Sequence, residues 1–129
     1  MKAATVGEGA SDAETPIGGK QLKSLGRLQG ELEKFFTNKV NVQHERLEGN
    51  DSLRGHIPEF ALSKFELGFA NLQQQRSHVD SAVETQTGDA KKISEEAKEA
   101  TRTMKALTES IKVYIDEAEA HVASLATGA

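Results

Sequence analysis

The sequence predicts an all-α protein, and three observations carry that prediction. Apolar residues return at three- and four-residue steps over residues 20–48, and a single seven-residue register runs from Leu62 to Leu125. Glycine and proline cluster between those two stretches, where a chain of helices turns back on itself. The expected architecture is an antiparallel helical hairpin with a long heptad-patterned second helix. The alternative is a three-helix bundle with a turn at Gly88.

Residues 1–19 contain Gly7, Gly9, Pro16, Gly18 and Gly19 with only Val6 and Ile17 as sizeable aliphatic groups. So little apolar area does not offset the entropy of ordering the chain, which predicts a disordered leader. A single helical domain over residues 20–127 follows it. Its first helix is marked by Leu22, Leu25, Leu28, Leu32, Phe35, Phe36 and Val40, a one-sided apolar stripe. Gly26 and Gly30 inside this helix cost about 1 kcal/mol each relative to alanine, so the helix depends on tertiary packing. The stretch from Glu48 to Pro58, with Gly49, Asn50 and Gly55, reads as the loop that ends it.

With Leu62 at heptad position a, the a and d sites to Leu125 are apolar except at Arg76, Gln86 and His121. Thr85, Thr87 and Gly88 are modest to poor helix formers, and Asp89 suits a new helix start, which favours a break. The unbroken heptad phase favours one continuous or kinked helix, and that is the leading expectation. Folding the first helix back pairs residues whose numbers sum to about 106, so each apolar residue finds an apolar partner. Phe36 then meets Phe69, Leu32 meets Leu72, and Leu28 meets Val79. Arg76 falls opposite Glu31, as a register-fixing pair or with its head in water.

Sixteen Lys and Arg against twenty Asp and Glu give a net charge of -4, without the basic excess that phosphate-backbone binding requires. Nucleic acid is therefore not an expected partner. No cysteine is present, which excludes disulfides, thiolate metal sites and a cysteine nucleophile. No run reaches the ~18 apolar residues of a membrane span, and the start lacks the apolar core of a Sec leader. The expected setting is cytoplasmic, or secreted without a Sec signal.

Catalytic and metal motifs are missing. None of His44, His56, His78 and His121 has a carboxylate three residues before it, so the di-iron Glu-x-x-His pattern does not occur, and neither does His-Glu-x-x-His. Glu117 and His121 stand four apart, as neighbours on a solvated helix commonly do. No nucleophile elbow or phosphate loop is found. The expectation is no enzyme activity, no cofactor and no metal.

Five of the six aromatics, Phe35, Phe36, Phe60, Phe65 and Phe69, fall at the hairpin end and predict a core there. If the second helix is unbroken, nothing in the chain covers its distal half. Met104, Leu107, Ile111 and Tyr114 then form a bare a-d-a-d stripe, the candidate partner-binding site, for a second copy of the chain or another helical protein.

The order of an amphipathic helix, a Gly-containing bend and a long helix rich in Ala, Glu and Lys resembles the small helical-hairpin proteins of type VII (ESX-type) secretion. The resemblance is to the secretion-associated subgroup without a tryptophan at the bend, and it covers residues 20–125 as a pattern. Phe65-Glu66-Leu67-Gly68-Phe69-Ala70-Asn71-Leu72, running on to Val79, Val83 and Gly88-Asp89-Ala90, looks like the second helix of such proteins. Leu53-Arg54-Gly55 stands at the bend in place of Trp-x-Gly. Tyr114 is followed four residues later by Ala118, where the family's export signal has an acid. The resemblance implies a secretion substrate or its partner.

The leading expectation is thus a non-enzymatic helical interaction protein. A coiled-coil scaffold subunit of an intracellular assembly is the second reading, and a dimeric four-helix-bundle metalloprotein the third.

Overall fold

The computed structural model describes residues 15–128. The chain is all-α, in the order α1 (Gly19–Phe35), a π-helical turn (Phe36–Val40), α2 (Asn41–Leu47), α3 (Asp51–Arg54), α4 (Glu59–Thr85) and α5 (Ala90–Gly128). The first four form one arm with a short capped turn at its end. With α4 and α5 they make a three-helix bundle around one core.

The π turn follows from the sequence. Buried positions along this arm run Leu25, Leu28, Leu32, Phe36, Val40, Gln43 and Leu47. From Leu28 to Val40 every step is four residues, and such a run carries a stripe around an α-helix. Widening the helix over Phe36–Val40, where the Asn41 N–H donates to the Phe36 carbonyl, turns the stripe back toward the core. Asn50 then caps α3 by accepting from the Leu53 N–H at 3.1 Å.

The long second helix of the leading expectation is interrupted, and the alternative turn at Gly88 is the one present. α4 ends at Thr85, Gln86 takes a left-handed conformation (φ 60, ψ 29), and Gly88 has φ 130. Asp89 starts α5, its side chain accepting from the Lys92 N–H at 3.1 Å. The physical reason is burial. Folding α5 back along α4 takes Met104 and Ile111 out of water, and each such side chain contributes about 1.5–3 kcal/mol. A four-residue interruption of mediocre helix formers is a small cost beside that.

The leader is also ordered closer to the helix than expected. The Ile17 N–H donates to the Gln86 carbonyl at 3.0 Å and the Gly88 N–H to the Thr15 carbonyl at 2.8 Å, tying residues 15–17 to the α4–α5 turn. Ile17 packs against the core. The expectation of a disordered leader otherwise concerns residues 1–14, which lie outside the described residues.

The expected α1–α4 register holds at its aromatic centre, where the Phe36 and Phe69 rings meet edge-on with centroids 5.9 Å apart. Arg76 pairs with Glu33 at 2.5 Å, not with Glu31, and its guanidinium lies 4.8 Å from the centre of the Phe36 ring. Gln29, Glu33 and Phe36 share the α1 edge that faces α4, as the Gln29–Asp80 hydrogen bond of 2.8 Å also shows. Glu31 points to the other side, where it lines a groove with Lys98, Arg102 and Lys105 of α5.

Polar contacts fasten the bend to the bundle. Arg46 on α2 reaches Glu119 at 2.6 Å and Asp116 at 2.8 Å on α5. Hydrogen bonding to Glu119, then to Asp116, raises the Arg46 pKa against a partial loss of hydration. Asp116 is held below the usual carboxylate range, first by Arg46 and then by Lys112. His44 stacks on Phe69 with centroids 4.1 Å apart and comes within 3.5 Å of Glu66.

Candidate partner-binding face

The stripe Met104, Leu107, Ile111 and Tyr114 is covered by the chain itself. Met104 is 0% exposed and Ile111 1%, both in the common core, while Leu107 and Tyr114 are half-buried against it. The premise that nothing in the chain covers this stripe fails because α5 folds back at residues 86–89. As a site the four residues divide: Met104 and Ile111 are core, and Leu107 and Tyr114 border the outer surface.

That surface is the groove between α4 and α5 on the side away from α1. At the turn end it is lined by Gln74, His78, Asp89, Lys92 and Glu96. Midway it is lined by Asn71, Gln75, Glu99 and Thr103. At the bend end it becomes apolar. Phe60 is 59% exposed, and its ring stands perpendicular to that of Tyr114, centroids 6.1 Å apart. Leu67, two turns further along the same edge of α4, is 72% exposed. Its neighbour Gly68 rests against Leu107.

Two lone exposed apolar residues would be unremarked on most surfaces. Phe60 and Leu67 with Leu107 and Tyr114 instead make a strip that crosses from one helix to the next. Further along the groove, toward the α4–α5 turn, the Gln75 Oε1 is buried without a hydrogen-bond partner, an unsatisfied acceptor in the groove wall. The mixed polar and apolar lining suits an amphipathic helix laid lengthwise, with its apolar residues toward the bend.

Phe60 was expected in the hairpin core, and Leu67 was not singled out as a site residue. Both occupy heptad position f in the register set by Leu62, the position that points away from the seam. Large apolar residues at an outward position were the signal available in the sequence.

Among the described residues no group of three or more His, Asp or Glu side chains is arranged to hold a metal ion. His56 and His121 come together with ring centroids 4.8 Å apart, edge to face, across the bend. No described helix is long and apolar enough to cross a membrane. Compared with protein-family models, curated proteins and solved structures, the chain matches none.

Proposed function

We propose that this chain is a non-enzymatic helical interaction protein that pairs with another helical chain, a second copy in the first instance, through the outer α4–α5 groove. The observation that carries the reading is the exposed strip of Phe60 and Leu67, continued across the groove by Leu107 and Tyr114. A three-helix bundle leaves a fourth helical position open beside two of its helices, and the strip lies along that position. The type VII resemblance implies the same mode of action, pairing with a helical partner, and export by that route is part of the proposal.

The strip is short compared with the ~800 Å² per partner of a standard stable interface, so pairing through it is expected to be weak and concentration-dependent. Light scattering over a range of protein concentrations tests this. The wild type should rise above monomer mass as concentration increases, and the Phe60→Ser/Leu67→Asp double variant should rise measurably less at the same concentrations with unchanged helical circular dichroism. A wild type that stays monomeric throughout contradicts pairing between copies.

A further inference from the structure

The turn between α4 and α5 combines three features that ordinarily occur apart. It is short, spanning residues 86–89. It is strained, because Gln86 carries a side chain at φ 60, in the left-handed region that non-glycine residues enter at a cost. Its third feature is that the helices on either side are in phase through it. At 100° per residue along one uninterrupted helix, every buried residue of α4 and α5 would fall within an arc of about 100°. Phe65, Leu72 and Val79 of α4 share that arc with Ala97, Met104 and Ile111 of α5. A turn leaves the rotation of the next helix free, so an antiparallel pair does not require this phase.

We propose that residues 86–89 form a hinge that can straighten, joining α4 and α5 into one helix, and that two chains exchange their α5 helices to make a dimer. In the exchanged dimer α5 of one chain packs on α1 and α4 of its partner, reproducing the contacts of the closed bundle, so no new surface is needed. Opening removes the left-handed conformation at Gln86, and short strained hinges favour such exchange. Two hydrogen bonds oppose it. Ile17 to Gln86 and Gly88 to Thr15 clasp the turn, and both are lost when it straightens. The closed monomer is therefore the form at low concentration, with the segment at residues 15–17 acting as the latch. This inference is distinct from pairing through the outer groove: exchange carries Leu107 and Tyr114 to the partner with the rest of α5 and leaves the exposed strip of Phe60 and Leu67 uncovered.

The test uses two substitutions of opposite sign in the full chain, refolded from denaturant at high and low protein concentration. Gly88→Ala disfavours the turn, where φ is 130, and favours a helix. Gln86→Gly relieves the strain of the turn and weakens the helix. Relative to the wild type, Gly88→Ala should lower the dimer dissociation constant at least about tenfold and Gln86→Gly should raise it by a similar factor. Exchange is identified by adding Asn71→Cys and Thr103→Cys, which face the same stretch of the α4–α5 groove in a chain without other cysteines, together with Phe60→Ser/Leu67→Asp, which removes pairing through the outer face. In the Gly88→Ala dimer the disulfide should join two chains. Disulfides within single chains only, a Gly88→Ala chain that stays monomeric or unfolds without dimerising, or equal dimerisation of the two hinge variants would each overturn the proposal.

Discussion

A methyl group on Gly68 would lie 2.6 Å from Leu107 Cδ1 and 2.9 Å from the Met104 sulfur, so α4 and α5 approach each other where this residue has no side chain. Gly26 and Gly30 have nothing within 4 Å of the same position. Alanine at either should therefore stabilise the bundle by about 1 kcal/mol through helix propensity. At Gly68 overpacking, typically ~1–3 kcal/mol, outweighs that gain, and Gly68→Ala should lose about 1 kcal/mol. Urea unfolding of the three variants checks the contrast, and equal gains at all three positions would contradict the close approach.

The all-α class, the first helix and the Phe36–Phe69 contact were legible because they rest on local periodicity and on one short loop. The arrangement of the distal half was not. A heptad register records which side of a helix is apolar, and two helices folded on each other can keep the register of residues 62–125 as well as one long helix does. The choice depends on burial of Met104 and Ile111 against the rest of the chain, a long-range term that Thr85 to Asp89 only hint at. Arg76 shows the same limit at finer scale. Its place opposite α1 was legible, but the choice of Glu33 over Glu31 depends on which edge of α1 each carboxylate occupies. The π turn that follows, over Phe36–Val40, comes from a run of four-residue steps that was open to reading.

Ile111 separates core from partner surface. A carboxylate at this position, 1% exposed, would be cut off from solvent, and Ile111→Asp should cost more than about 4 kcal/mol, enough to unfold the chain. Loss of the helical circular dichroism signal at ambient temperature is the expected result. A folded Ile111→Asp chain would mean that α5 lies away from α4 in solution.

The Arg46 contacts predict acid sensitivity at the bend. The Asp116 carboxyl is depressed in the folded state, so its contribution is complete above its unfolded pKa and is lost as pH falls through the folded one. The window is therefore below about pH 4, the ordinary aspartate value. Arg46, shifted upward, stays charged throughout that range. The stability difference between wild type and Arg46→Ala should be largest near neutral pH and shrink on acidification below that value. Denaturant titrations at several pH values measure it, and a constant difference would show that Arg46 acts through packing alone.

Crosslinking from position 67 tests the outer groove most directly. A photoreactive benzoylphenylalanine is placed there, with a matched control at exposed Lys39 on the far arm, in the Gln86→Gly background that disfavours exchange of α5. Mass spectrometry of the products from concentrated protein should map links from residue 67 to the groove of a second chain, within residues 60–71 or 103–114, with few from residue 39. Links equally abundant from both positions, or none between chains from residue 67, would contradict pairing through this face.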